Sequence, residues 1–408
     1  MSISDAAIPP LPAKPLPASL ILVLFALAMG GFAIGTAEFA TMSLLPYFAP
    51  DLKISEATAS HVISAYALGV VVGAPLLAVL GARHSRRKML IVLMLTFAVF
   101  NAISAFATNY PLMLLARFMS GLPHGAYFGT TALVAASLVS PKKRAQAVAR
   151  AMLGLTVATI IGVPLANVIG QFFGWRLGFV LVAILSLLAM FLVWRFVPQD
   201  VPDKDAHPLR EIRGLKNRHI WLTLAIGAVG FGGLFAVYTY VASTLIEVTG
   251  SGEKSVPIVL AIIGLGLTVG ALCGSWLADK FGFKAMKYGL IWSAVWLFVY
   301  PFAAGNFWLI CIVSFFIGNI GGFGVVLQTR LMDVAKDAQM AAAALNHSAF
   351  NTANALGPIL AGYALTHGYG FQSSGFVGGV LALAGLVVWY IAMQAAKKAG
   401  IPDLPAKE

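Results

Sequence analysis

Twelve stretches of this chain are apolar for about 20 residues or more, and that repetition restricts the fold before any motif is read. A run of ~20 apolar residues, rising ~1.5 Å each as a helix, crosses the hydrocarbon core of a bilayer. The first six stretches are roughly 20–47, 57–81, 89–108, 111–139, 146–171 and 177–197. The last six are roughly 219–246, 255–278, 286–304, 307–331, 340–366 and 374–395. Each reads as a membrane-spanning helix. Sixty per cent of residues are hydrophobic and 10% are charged, against about 25% charged in a soluble domain. So apolar a chain of 408 residues has too little polar surface to be a soluble multidomain protein.

The basic residues alternate between connections. One side holds Arg83, Arg86, Arg87 and Lys88, then Lys142, Lys143 and Arg144, then Arg210, Arg213, Lys216 and Arg218. It also holds Lys280, Lys284 and Lys287, then Arg330 and Lys336, and finally Lys397 and Lys398. The opposite side has Lys53, Arg176 and Lys254. The positive-inside rule makes the first side cytoplasmic and places both termini inside a multi-pass protein of the cell (inner) membrane. The net charge of +12 is therefore a topology signal with attraction for anionic lipid, and no nucleic-acid partner is expected. Cys273 and Cys311 fall in apolar segments and read as small buried hydrophobes, with no metal site or disulfide. No cofactor is expected.

Residues 1–18 are rich in Pro and Ala and read as a mobile tail, and 397–408 as a second tail. The polar stretch 198–218 reads as a cytoplasmic linker between a six-helix bundle over 19–197 and another over 219–396. The halves resemble each other. VLGARHSRRKML follows the second stretch and WLADKFGFKAMK the eighth, with Ala82 and Asp279 197 positions apart. Pro164 in IGVPLANVIG and Pro358 in LGPILAGYAL stand 194 apart. Such repeats are known in transporter folds, with the substrate site at the repeat interface near the midplane.

Glu38 is the lone acid of the first stretch, and Arg117 interrupts the fourth. An ionisable group in the bilayer costs several kcal/mol unless paired, protonated or wetted. Both lie roughly 9–12 Å below the outer boundary at ~1.5 Å per residue, the matching depth a charge pair requires. Burial penalises a carboxylate and a guanidinium stabilises it, so a carboxylate held between the two can switch with access and occupancy. A static ion pair anchoring two helices is the competing reading. His124 lies two turns after Arg117 on nearly the same face, with Ser120 on that stripe, and either relays protons or fills a satisfied interior position. His61 reads as an interfacial polar residue.

His347, Asn351 and Asn354 make one polar stripe in the eleventh stretch, with Asn346 adjacent. Such a stripe faces a neighbouring helix or a wet cavity. Tyr127, Thr130, Tyr238, Tyr240, Asn319, Gln328 and Asn351 are candidates for lining a substrate cavity. Gly30, Gly31 and Gly35, and Gly318, Gly321, Gly322 and Gly324, permit close helix contact and bending. Gly162 and Pro164 are expected to kink the fifth helix where two halves must slide. No phosphate-binding loop, nucleophile elbow or HExxH pattern is present, so no enzyme is expected.

The chain resembles the major facilitator superfamily, and within it the twelve-span drug:proton antiporters of the arabinose-efflux-permease (AraJ-like) branch. The resemblance covers residues 20–395 and rests on GTAEFATMSLLP, HVISAYALGVVVGAPLLA, RFMSGLPHGAYFG, IGVPLANVIGQFFGWRLGF and ALNHSAFNTANALGPILAG. It implies two pseudo-symmetric six-helix bundles and proton-coupled efflux of small organic molecules, sugar-like or drug-like, by alternating access. It implies protons and a small molecule as partners, and a monomer as the expected working unit. Glu38 matches the branch's acid in helix one, and Arg117 the Arg of its fourth-helix motif, linked there to proton coupling. Gly162 and Pro164 match its fifth-helix motif as GVP in place of GP. The family's loop signature after helix two is altered: Ala78, Ala82 and Ser85 stand where Gly, Asp and Gly are usual, while Arg83, Arg86, Arg87 and Lys88 remain. The second copy keeps Asp279, Lys280, Gly282 and Lys284, so cytoplasmic gating is expected to lean on Asp279. A symporter or uniporter of the same fold, or a membrane sensor, is the alternative.

Overall fold

The structure, a computed structural model, describes residues 19–81, 83–202, 217–335 and 339–401. Residues 1–18, most of the linker and the last residues of the chain lie outside these, as do Ala82, Arg210, Arg213, Lys216 and Lys336. In hydrocarbon no water satisfies backbone N–H and C=O groups, so each apolar stretch bonds them internally as a helix. The described residues contain helices and no strand.

The first helices are α1 (Leu20–Ser43), α2 (Leu45–Asp51), α3 (Glu56–Gly81), α4 (Arg86–Ala105), α5 (Tyr110–Ser137), α6 (Arg144–Val157), α7 (Val163–Phe173) and α8 (Trp175–Phe196). After the linker come α9 (Arg218–Gly230), α10 (Gly232–Ser243), α11 (Val256–Phe281), α12 (Ala285–Ala303) and α13 (Phe307–Gly318). The last are α14 (Gly324–Ala335), α15 (Gln339–Thr366) and α16 (Ser373–Lys398). Asn109 and Asn306 cap α5 and α13 at the ends poor in Lys and Arg, the outer ends, and Ser19, Ser85 and Asn217 cap α1, α4 and α9 at the inner ends.

Each predicted stretch coincides with one helix or with helices laid end to end. The breaks follow local chemistry. The expected kink of the fifth stretch is a π turn, Ala158–Gly162, ending just before Pro164. Proline has no N–H to give the preceding turn, and one extra residue per turn absorbs the misfit. A 3-10 segment, Asn319–Phe323, joins α13 to α14 through Gly321 and Gly322. By length and composition alone, nine stretches among the described residues are apolar enough to cross a membrane, and the one at Glu253–Ala303 holds both α11 and α12. The 28-residue helices α5 and α15 fall outside that set and carry Arg117, His124, His347, Asn351 and Asn354.

Large apolar side chains stand exposed along one side of each outer helix, as Leu68, Val72, Leu76 and Leu80 do on α3, because lipid is their solvent. Cys311 is buried, but Cys273 is exposed beside exposed Leu272 and Trp276. Its expected burial is corrected: a place in an apolar span includes the lipid face.

The internal repeat reappears in packing. A Cβ on Gly69 of α3 would stand 2.1 Å from the Phe118 carbonyl oxygen of α5, and one on Gly266 of α11 2.2 Å from that of Phe315 in α13. Gly73 and Gly270 make the next contact of each pair, each 2.2 Å from a backbone carbonyl oxygen. The offset between these pairs matches that of the loop motifs. Backbones approach this closely only where glycine leaves room.

Apolar packing between the two sets of helices is concentrated at the outer side. Phe39, Met42, Leu45, Phe48, Val62, Met113 and Trp175 belong to the same buried cluster as Phe235, Tyr238, Val241 and Leu260. The inner part of the first set, including Val23, Leu90, Leu93, Val134 and Val193, forms a cluster of its own.

Candidate functional site

Five hydrogen bonds join the two sets of helices among the described residues, and each lies in the outer half. Asn354 of α15 donates its Nδ2 to Glu38 Oε1 of α1 at 2.9 Å. Ser64 and Ser60 of α3 donate to the carbonyls of Ala355 and Pro358, at 2.9 and 3.4 Å. Ser243 of α10 donates to the Glu56 carboxylate at the start of α3. Gln171 of α7 donates to the Glu253 carbonyl at 2.8 Å. Glu38 is 7% exposed and Asn354 fully buried, so the first of these is a buried contact made by an ionisable group.

Arg117 reaches the turn of α1 that carries Glu38, but the two form no ion pair. This corrects the expected charge pair. Its guanidinium donates to Asn101 Oδ1 of α4 at 3.1 Å and to the Ala37 carbonyl at 3.5 Å. It lies 4.4 Å over the ring centroid of Tyr66 and 5.5 Å over that of Phe179. Fully buried, with Nε unpartnered, the cation is held by carbonyl oxygens and aromatic faces. The physical reason is a division of labour: each group takes a neutral hydrogen-bond partner, and the guanidinium meets α1 at the Ala37 carbonyl, one residue from Glu38.

His124 bonds the Tyr66 hydroxyl through Nδ1 at 2.9 Å. Its ring stands 6.3 Å from that of His347 on α15, and His347 stacks on Phe128 at 5.5 Å. Asn351 uses Nδ2 on the His347 carbonyl at 3.1 Å and leaves Oδ1 unpartnered, as Asn354 does. Tyr238 meets Phe39 across the interface at 5.0 Å and its hydroxyl is unpartnered too. Buried polar atoms without partners are uncommon in folded proteins, and three of them lie close to this seam.

The other cavity candidates sit elsewhere. Tyr127 donates to the Leu27 carbonyl at 2.8 Å, tying α5 to α1. Tyr240 donates to the Pro358 carbonyl at 3.4 Å, Thr130 to that of Ala126 at 2.8 Å, and Asn319 to that of Gly266 at 2.8 Å. Gln328 accepts from Asn346 at 2.7 Å. The Thr130 bond stays within α5 and the others hold helices within one set, the Tyr240 hydroxyl sharing the Pro358 carbonyl with Ser60 at the seam. His61 is exposed at the outer end and meets the Tyr110 hydroxyl at 3.1 Å.

At the inner ends the gating candidates do not meet. Arg83 is exposed. Arg87 donates to the Trp194 carbonyl. Asp279 lines a cavity of about 210 Å³ with Ser275, Thr329, Arg330 and Asp333, and the Lys280 ammonium lies 4.9 Å over the Trp276 ring. Asp200, just past α8, accepts from Ser85 Oγ at 2.6 Å, from Arg86 N at 2.7 Å and from Arg87 N at 3.2 Å. It supplies a carboxylate at the N-terminus of α4, where the helix dipole favours negative charge. At the outer surface Arg176 and Trp175 donate to Asp51, holding its carboxyl below the usual carboxylate range.

Residues 27–289 match the family model of the Major Facilitator Superfamily. The inner membrane transport protein YdhP of Escherichia coli (strain K12) is 36% identical over 92% of this chain and 96% of its own length. AraJ of the same organism is 32% identical, over 89% and 93%. A chloramphenicol resistance protein of Streptomyces lividans is 31% identical, over 90% and 95%. Among solved structures, a bacterial homologue of the human lysosomal transporter Spinster, inward-facing and unoccupied, aligns with a TM-score of 0.70 at 16% identity, covering 93% of this chain and 98% of that one. That last likeness is one of fold alone.

Proposed function

This chain belongs to the major facilitator superfamily, a multi-pass inner-membrane transporter and not an enzyme, and we propose that it exports small organic molecules in exchange for protons. The observation that carries the reading is the Glu38–Asn354 contact. It puts the buried acid of the first helix on the seam between the two halves. The Streptomyces relative, named for chloramphenicol resistance, supports export of a drug-like molecule.

The mechanism follows from charge. An ionised Glu38 accepts a strong hydrogen bond from Asn354 and helps keep the outer side closed. With the outer side open, a proton arriving from outside neutralises Glu38 as cargo leaves outward, and the neutral side chain can be buried again as the seam closes over the empty carrier. With the inner side open, loss of the proton to the inside lets cargo bind and restores the strong contact. Arg117, which cannot itself shed a proton, fixes the local field. Twelve crossings in two six-helix halves, 19–197 and 219–396, with both termini cytoplasmic and a monomer as the working unit, complete the reading.

Substrate-driven proton flux in liposomes carrying purified protein tests it, with chloramphenicol and a panel of sugars as probes. Antiport requires cargo to accumulate against an imposed pH gradient, opposite to proton flow. Movement in the same direction as protons would establish symport, and flux indifferent to the gradient a uniporter.

The outer seal gives a second test. A Cβ on Gly362 would stand 3.1 Å from Ser60 Oγ, which places two cysteines within disulfide reach. With Cys273 and Cys311 replaced, Ser60→Cys with Gly362→Cys should lose transport on oxidation and regain it with reductant. Undiminished transport by the cross-linked protein would show that the outer side need not open.

A further inference from the structure

Among the buried contacts that bridge the halves at α15 are Glu38 with Asn354, and His124 with His347. Tyr66 of α3 touches the first-half machinery of both. Its ring lies under Arg117, whose guanidinium carbon is 4.4 Å from the ring centroid, and its hydroxyl lies 2.9 Å from His124 Nδ1. It is 1% exposed and packs edge-on against Phe97 at 6.4 Å, so it has little freedom to turn away. The titratable and charged groups around this cluster are Glu38 on α1, Arg117 on α5 and His347 on α15, with Tyr66 itself.

A cation over the face of a phenol draws electron density from the ring and makes its O–H a better donor. Within this cluster His124 is the hydroxyl's partner. We propose that Tyr66 is a positioning residue: polarised by Arg117, it donates to His124 Nδ1 and fixes that imidazole as the Nε2–H tautomer at the seam with His347. Nδ1 is then committed to the first half. Nε2–H remains the donor available to the other half or to cargo in the seam. Because the Arg117 guanidinium also reaches the carbonyl of Ala37, next to Glu38, a change at Glu38 reaches His124 through Tyr66. The link to transport rests on the proposed role of Glu38; the tautomer assignment rests on the contacts alone.

Nitrogen NMR of the full-length protein, labelled with 15N-histidine in nanodiscs, reads the tautomer directly, the His124 signal being identified by its loss in His124→Gln. The wild type should show an unprotonated Nδ1 and a protonated Nε2. Tyr66→Phe keeps the ring under Arg117 and removes only the donor, and should lower the tautomer preference about tenfold, the worth of one ordinary hydrogen bond. Its transport pH profile should shift while the yield of folded protein stays at the wild-type level, which a merely structural residue would not produce. Tyr66→Leu, which also strips the ring from Arg117, should lose more transport than Tyr66→Phe. A protonated Nδ1 in the wild type, or an unchanged tautomer in Tyr66→Phe, would overturn the proposal. Persistent proton coupling in Glu38→Gln would instead remove the Glu38 reading and leave the His124 spectrum as expected.

Discussion

Glu38→Gln should abolish proton-driven transport, by roughly a hundredfold or more, while leaving cargo binding in place. The size follows from losing an obligatory proton carrier, an effect of the order seen when a positioned acid or base is removed. Glutamine has nearly the same shape and can still bond Asn354, so the seam stays packed. What it cannot do is change charge. The outer seal then no longer responds to protons arriving from outside. Cargo-for-cargo exchange, which needs no net proton movement, should survive in the same liposomes. Full gradient-driven transport by the purified variant would end the proposed role of Glu38. Loss of both exchange and binding would mean instead that the carboxylate is part of the cargo site.

The second large effect concerns a glycine that holds no chemistry. Gly264 of α11 lies against the π turn Ala158–Gly162 of the other half, and a Cβ there would stand 2.6 Å from the Thr159 carbonyl oxygen and 3.0 Å from Ile160 N. These are backbone atoms and cannot step aside. Gly264→Leu should therefore force the two halves apart along this seam and reduce transport to background. The packing within each half is untouched, so folded protein should be recovered at close to the normal yield. Gly266→Leu, two residues further on, is the control. Its Cβ would meet the Phe315 carbonyl oxygen within the same half at 2.2 Å, and overpacking of that kind costs ~1–3 kcal/mol or more. That variant should lose folded protein. Size-exclusion yield beside liposome transport separates the two. Normal transport by Gly264→Leu would show that this close approach is not part of the cycle.

Much of the candidate site was legible from hydropathy and spacing. Glu38 and Arg117 stand out because a charge in an apolar run is costly, and residue counting places them at one depth. The polar stripe His347, Asn351 and Asn354 was visible by its helical spacing, although nothing in it distinguished Asn354 as the partner of Glu38. Tyr66 was not visible, since a tyrosine in a span reads as packing until the neighbour above its ring and the one at its hydroxyl are known. Glu56 was hidden by its position at the start of a span, where an acid reads as interfacial. Asp200 stands past the end of a span, and only the folded chain brings it back to the start of α4. Tyr127, Tyr240 and Asn319 resemble cavity residues in sequence, yet they spend their polar atoms on helix contacts within one half.

The sequence by itself determined the solvent and the helices, and it sets the expected orientation and the spacing of polar residues along each helix. Those follow from one-dimensional quantities: apolar length, the placement of Lys and Arg, and a fixed rise per residue. Rotation about each helix and the pairing of helices come from side-chain packing among segments far apart in the chain. So only the tertiary structure decided that Glu38 meets Asn354 and not Arg117, that Arg117 rests on Tyr66, and that the outer seam is the closed one.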